Sequence, residues 1–342
     1  MTSSVVVLAL GALYSMAVLY FAKPLSMRLG VMDHPGGQHH KKHRIATPLV
    51  GGIATIPPVV ATLANEYLAG GHAESYRQAM IALAFATAAS FVVGLMDDRA
   101  HIAASKRLLM CAAVFLVTIL IAPEFTIIAL SLESLGIRFE LGLLSLPFSV
   151  LCLLAFQNAV NMADGRNGLV AGLAIIWVVA MLSFGYHPLD SALVALLCGL
   201  LLVLAANLRG RLFLGDAGTY GLGALIGLGI IWMHRSNFGL QTLDVAIILA
   251  IPAFDMVRLF VFRILSGKSP FQADHDHLHH YIDDAIGWRR GLFLYYALQA
   301  LPILAARSEL LSKLAAFGLA CALYVAALAG CSILLARRQA AG

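Results

Sequence analysis

Charge is scarce in this chain. Asp, Glu, Lys and Arg make up 12% of its 342 residues, against about 25% in an ordinary soluble domain. With 61% apolar residues, that scarcity excludes a soluble globular fold; the surplus lies in repeated apolar runs of roughly 17–25 residues, long enough to cross a bilayer. Cysteine is sparse too: Cys111, Cys152, Cys198, Cys321 and Cys331 stand isolated inside apolar runs, with no CxxC spacing. They read as small buried hydrophobes, which excludes a disulfide framework and a thiolate zinc site. A basic leader region is missing as well. The opening MTSSVVVLALGALYSMAVLYFAKP carries its first positive charge at Lys23, after the apolar run, so we read it as a retained first span and not a cleaved signal peptide. No internal repeat is visible and no composition shift marks a second domain. Residues 1–342 are expected to form a single integral membrane domain.

What is present is a series of eleven candidate spans, near 4–22, 48–68, 78–96, 106–122, 144–161, 168–185, 189–206, 217–234, 243–265, 289–306 and 312–336. The expected fold is an all-α polytopic membrane protein of about 11 transmembrane helices. One stretch departs from helical patterning. Phe125 to Gly142, FTIIALSLESLGIRFELG, alternates like a strand around a Leu-Gly turn, so a short periplasmic hairpin near 125–142 is expected. Eleven spans put the odd-numbered loops and the C-terminus on one side. Seventeen Lys and Arg fall there, and five (Arg77, Arg138, Arg235, Arg307, Lys313) on the other. The positive-inside rule makes the first side cytoplasmic and leaves the N-terminus outside. Ten of twelve aspartates (all but Asp190 and Asp244) sort to that same side, as do nine of twelve histidines, whereas all six glutamates sort away from it. Solvation does not select the shorter carboxylate on one face. A cytoplasmic active site handling a metal and phosphates does.

Four constellations lie on that face. GLMDDRAH, Gly94 to His101, puts Asp97 and Asp98 at a helix C-terminus, where the macrodipole disfavours negative charge; Mg²⁺, or Arg99, Lys106 and Arg107, should compensate. The plainer alternative is a solvated helix end. QNAVNMADGRNGLVAG, Gln157 to Gly172, spaces Asn158, Asn161 and Asp164 helically before Asp164-Gly165 breaks the helix. Amides and a carboxylate converging on a turn suit a diphosphate, a sugar or a metal, although Asp-Gly and Asn-Gly are also generic breakers. RLFLGDAGTYGLG, Arg211 to Gly223, flanks Asp216 with glycines and starts a span whose free N–H groups favour phosphate; otherwise Asp216 is a simple N-cap. DHDHLHH, Asp274 to His280, has no cysteine nearby to close a zinc tetrahedron. It reads as phosphate-binding imidazoles, or else as a loop resting on lipid headgroups. Beside it stands the basic, histidine-rich DHPGGQHHKKHRIATPLVGG, Asp33 to Gly52, which alone could be a positive-inside flank.

Taken in order, these motifs resemble the polyprenyl-phosphate N-acetylhexosamine-1-phosphate transferases, integral membrane enzymes that move a sugar-1-phosphate from a UDP-sugar to a lipid phosphate and release UMP. The resemblance runs from about Asp33 to His280 through TPLVGG, GLMDDR, NAVNMADGRNGL, FLGDAGTYGLG, IPAFDMV and GKSPFQADHDHLHH. The His-x-His-His ending and the SPF lead-in are similar to the branch that starts O-antigen, enterobacterial common antigen or teichoic-acid linkage synthesis with GlcNAc-1-phosphate. The peptidoglycan branch, which uses UDP-MurNAc-pentapeptide, typically shows three consecutive histidines; here Leu278 interrupts them. Two departures stand out. His101 sits where a third acidic residue is usual, and Asp164-Gly165-Arg166-Asn167-Gly168 replaces Asp-Gly-x-Asp-Gly.

The resemblance implies catalytic roles for Asp97, Asp98, Asp164, His279 and His280. It implies substrate binding by Arg44, Lys106, Arg107, Asn158, Asn161, Asn167, Gly215 and His277. Mg²⁺, with Mn²⁺ as a substitute, is expected on Asp216 with Asp98 or Asp164 assisting. The expected partners are a UDP-HexNAc, undecaprenyl phosphate, membrane lipids and a second copy of the chain, with no nucleic acid. The expected location is the bacterial cytoplasmic (inner) membrane. Direct attack by the lipid phosphate and a covalent phospho-enzyme both stay open. So do a phospho-MurNAc-pentapeptide transferase activity, a paralogue using another HexNAc, and an enzyme disarmed at His101 and Asn167. An intramembrane prenyltransferase and a transporter with a midplane ionisable site are more remote.

Overall fold

A computed structural model describes residues 2–35, 46–70, 72–236, 239–267 and 276–341. The chain divides into two compact units, Met1–Ile128 with Leu141–Phe238, and Ala129–Glu140 with Gly239–Gly342.

The first unit contains α1 (Thr2–Tyr20), α2 (Ala22–Leu29), β1 (Met32–Asp33), β2 (Thr47–Pro48), α3 (Gly51–Ala69), α4 (Glu74–Ala100), α5 (Ala104–Ile121), α6 (Ser145–Ala163), α7 (Leu169–Leu182), α8 (Asp190–Asn207) and α9 (Gly215–Arg235). At its centre is α9, in which every residue from Ala217 to Met233 is buried; α3, α4, α6 and α7 pack around it. Lipid tails are as apolar as leucine, so helices in a bilayer gain little by hiding apolar side chains. They associate through close backbone packing, which favours small residues. The sequence of α9 supplies these as a glycine-rich face. A Cβ added at Gly221 would lie 2.8 Å from Ile56 of α3, and one at Gly223 2.8 Å from the Gln157 backbone of α6. Buried polar groups find internal partners. Gln157 Nε2 donates to the Tyr220 carbonyl at 3.1 Å, and the Asn207 side chain accepts from Gly168 N at 2.5 Å while donating to the Leu212 carbonyl at 2.8 Å.

The second unit holds β3 (Ala129–Leu132), β4 (Ile137–Glu140), α10 (Thr242–Ile248), α11 (Ala250–Leu265), α12 (Leu278–Ile286), α13 (Trp288–Arg307) and α14 (Lys313–Ala341). β3 and β4 pair antiparallel, from Ala129–Glu140 to Leu132–Ile137, as the expected hairpin near 125–142. The expected straight span 243–265 is instead broken at Leu249, where α10 and α11 bend by 78°. Backbone groups freed by a break must be satisfied internally at membrane depth. Buried Gln299 does this, donating Nε2 to the carbonyls of Ile247 at 3.1 Å and Ile248 at 3.0 Å. Asp244, one of the two aspartates that sort away from the others, forms a capping box with Gln241 at the start of α10 and pairs with Lys313 at 2.6 Å. The other, Asp190, accepts the His187 N–H at 3.0 Å. Both hold local structure, one at the start of α10 and the other at the start of α8.

Each of the eleven expected spans coincides with a helix or a bent helix pair. Six described helices are long and apolar enough to cross a membrane, or eight if each bent pair is one span. α7, at 14 residues, is shorter than a full crossing.

Candidate functional site

Asp97 and Asp98, adjacent at the end of α4, have different uses. Asp97 is 4% exposed. One carboxylate oxygen accepts the Ile102 N–H at 2.6 Å, and the other accepts from Nη1 of Arg107 on α5. His101 ends α4 in the left-handed conformation, φ 48°, its amide donating to the Asp97 carbonyl at 3.0 Å. Asp98 faces α9. Its Oδ1 accepts the Asp216 N–H at 2.8 Å, and its Oδ2 accepts the Ala217 N–H at 3.0 Å. The amides expected to be free for phosphate at the start of this span are therefore already capped, by a carboxylate from another helix. Gly215 makes that approach feasible. Its φ is +75°, and a Cβ there would lie 2.8 Å from Asp98 Oδ2. Gly94 does the same one turn earlier in α4, where a Cβ would fall 2.2 Å from the Asp216 carbonyl oxygen.

With its backbone so fixed, Asp216 turns its carboxyl towards α5 and α6. Oδ1 accepts from Asn161 Nδ2 at 2.6 Å, Oδ2 lies 3.6 Å from Arg107 Nη1, and the carboxyl meets that of Asp97 within hydrogen-bond reach. Asn161 also donates to Thr219 Oγ1 at 3.0 Å. Asn158, by contrast, turns back onto its own helix, donating to the Leu154 carbonyl at 2.7 Å. Asp164 caps α6 near Asp98. Burial, and secondarily the Asp98 charge, pushes its carboxyl up to about 7. Asn167 lies beside Gly210, and Lys106 is exposed on the first turn of α5. Arg44 lies outside the described residues.

Two carboxyls, of Asp97 and Asp216, share the Arg107 guanidinium, and a cation would relieve the excess of negative charge. Among the described residues, no three His, Cys, Asp or Glu side chains form a metal-holding group. An all-protein cage is thus absent from what is described. Mg²⁺, however, is usually held by one or two carboxylates, with phosphate and water oxygens completing its octahedron. The all-oxygen pair of Asp97 and Asp216, both on Arg107, fits that requirement.

The histidines belong to the second unit. His277 is the N-cap residue of α12, and its Nδ1 lies 2.9 Å from Oδ2 of Asp255 on α11. The rings of His277 and His279 stack at 5.4 Å, and those of His279 and His280 lie 4.2 Å apart. Asp255 and Arg258 are ionisable residues inside the apolar run of α11. An Asp-x-x-Arg pair inside an apolar run was the available signal, because intramembrane ionisable groups are functional by default.

Residues 80–234 match the model of glycosyl transferase family 4. The chain is 29% identical over 309 residues to the undecaprenyl-phosphate alpha-N-acetylglucosaminyl 1-phosphate transferase of Escherichia coli (strain K12), covering 84% of this chain and 78% of that one. It is 30% identical over 309 residues to the Yersinia pestis protein of the same name, covering 84% and 79%. With the probable undecaprenyl-phosphate N-acetylglucosaminyl 1-phosphate transferase of Bacillus subtilis (strain 168) it shares 30% identity over 270 residues, covering 75% and 71%. The family match spans the segments that form the carboxylate cluster. The chain belongs to glycosyl transferase family 4, among the polyprenyl-phosphate N-acetylhexosamine-1-phosphate transferases, and is a phosphotransferase.

Proposed function

We propose that this enzyme transfers GlcNAc-1-phosphate from UDP-GlcNAc to undecaprenyl phosphate at the cytoplasmic face of the bacterial inner membrane, releasing UMP. The asymmetry of Lys and Arg along the chain supports that face for the motif-bearing loops. The single observation that carries the reading is that the Asp97 and Asp216 carboxyls share Nη1 of Arg107, while Asn161 holds the other oxygen of Asp216.

Phosphoryl transfer asks for alignment and charge neutralisation more than for covalent help. An oxygen of the lipid phosphate forms a bond to the sugar-bearing phosphorus. The bond from that phosphorus to the bridging oxygen breaks, and UMP departs with the bridging oxygen and the electron pair. Mg²⁺, held by Asp216 with Asp97, would supply neutralisation of the diphosphate. Arg107 balances the carboxylates and contributes charge stabilisation as the leaving group develops. Asp98 holds the α9 backbone so that Asp216 keeps its place. A phosphate monoester has its second pKa near 6, so the acceptor is largely dianionic at neutral pH, and Asp97 or Asp164 need only take the remaining proton. The imidazoles of His277, His279 and His280 bind phosphate oxygens.

The test uses purified protein with Mg²⁺, undecaprenyl phosphate and a panel of UDP-sugars, with UMP release as the readout. UDP-GlcNAc should be the preferred donor. Asp216→Ala should lower turnover by about a thousandfold, on the scale of losing a principal charge-stabilising group. Turnover near the wild-type rate in that variant removes the proposed metal role, and preference for another UDP-HexNAc overturns the sugar assignment.

A further inference from the structure

The buried ionic network around Asp255 is not used by the chemistry above. Asp255 is 4% exposed, in an apolar helix where an ionised carboxylate persists only if thoroughly paired. Its Oδ2 faces His277 Nδ1 at 2.9 Å; its Oδ1 accepts from Arg258 Nη2 at 2.9 Å and from the Tyr324 hydroxyl at 3.0 Å. Both oxygens also receive the Leu278 N–H, at 3.1 and 3.2 Å. Arg258 donates onward, through Nε to the Tyr324 hydroxyl at 2.8 Å and through Nη2 to the Asp276 carbonyl. One carboxylate of α11 thus gathers a helix start, an imidazole, a guanidinium and a phenol of α14.

Two consequences follow from this wiring. The bonds to the Leu278 amide and the Asp276 carbonyl fix the chain on either side of His277, and with it the orientation of the first turn of α12. The carboxylate also requires a proton on Nδ1 of His277. With Nδ1–H given to Asp255, the ring donates to a phosphate oxygen only as the imidazolium, through Nε2–H. His279 inherits the arrangement by stacking on His277, their rings 13° from parallel.

We propose that Asp255, Arg258 and Tyr324 are positioning residues for the transferase, presetting His277 at the start of α12 to donate Nε2–H to phosphate oxygens. The proposal rests on the assignment of the histidines as phosphate-binding groups. It differs from a purely structural account in one measurable way: removing Asp255 must act through His277.

A double-mutant cycle on the full-length enzyme in detergent separates the two. UMP release is measured for His277→Ala, Asp255→Asn and the combined variant, with thermal unfolding followed in parallel. Loss of a hydrogen bond to a charged group corresponds to about ten- to a hundredfold. That loss is expected in kcat/KM for each single variant, with the double variant no worse than His277→Ala alone. Tyr324→Phe removes one donor while leaving the carboxylate in place, so it should lose less than Asp255→Asn and be likewise silent in the His277→Ala background. This variant keeps the proposal testable if Asp255→Asn fails to fold. Multiplicative losses in the double variants, or full activity of Tyr324→Phe and Asp255→Asn alongside an impaired His277→Ala, overturn the positioning role. Full activity of His277→Ala itself would instead sink the assignment of the histidines as phosphate-binding groups.

Discussion

At the scale of single residues, the two aspartates at the end of α4 do different work although they are neighbours in sequence. Consecutive helical positions point about 100° apart, so Asp97 looks to Arg107 while Asp98 looks to the α9 amides. Asp98→Asn replaces one capping oxygen by a donor that faces an N–H group. Losing a cap costs about 1 kcal/mol, so the variant should melt a few degrees lower in a detergent thermal scan, with turnover reduced as Asp216 drifts; an unchanged melting temperature contradicts the cap. Asp164 gives a pH-dependent expectation. Burial and the nearby Asp98 push its carboxyl up to about 7, above its ordinary unfolded value near 3.9. Between those values the folded state holds a proton that the unfolded chain has lost, so stability falls as pH rises from about 4 to about 7 and levels off beyond. Asp164→Asn should flatten that slope in melting temperature against pH, and an identical slope in the variant refutes the assignment. Residue types were legible here: the sequence motifs contain Asp97, Asp98, Asn161, Asp164 and Asp216. Partners were not, since whether a carboxylate meets a metal, an arginine or a helix start depends on which helix packs opposite.

At the scale of elements, close packing of α4 on α9 is the controlling feature. A methyl group at Gly94 would lie 2.2 Å from the Asp216 carbonyl oxygen, whereas one at Gly318 of α14 would meet nothing within 4 Å. Opposite outcomes are expected from the same substitution. Gly94→Ala should destabilise by about 1–3 kcal/mol or more through overpacking, while Gly318→Ala should stabilise by about 0.5–1 kcal/mol by removing backbone freedom from a helix interior. Equal thermal shifts would refute this account. The helices themselves were readable from apolar runs. The 79° bend between α1 and α2 and the 78° bend between α10 and α11 were not: the first falls where the apolar run gives way to Lys23, with nothing local to set an angle, and across the second hydropathy continues. The second is stabilised by Gln299, some fifty positions away, and no local pattern announces such a partner. The two-residue pairing of β1 with β2, Met32–Pro48 and Asp33–Thr47, was likewise too short to show a strand period.

At the scale of the whole chain, the distribution of Lys and Arg predicts orientation. In a cysteine-free background, a cysteine at Leu143, 99% exposed, should react with an impermeant thiol reagent added to intact cells. One at Lys106 should react only after permeabilisation. The reverse pattern would invert the proposed topology and place the carboxylate cluster outside. Membrane character was evident from composition alone; the division into two units was not, since no composition shift along the chain marks it.

The bonds from Asp98 to the α9 amides join residues 118 and 119 positions apart. While the chain is being synthesised, that carboxylate has no amides to receive until α9 has emerged and docked. The arrangement of Asp97, Arg107 and Asp216 is therefore complete only once the ninth helix has packed against the fourth.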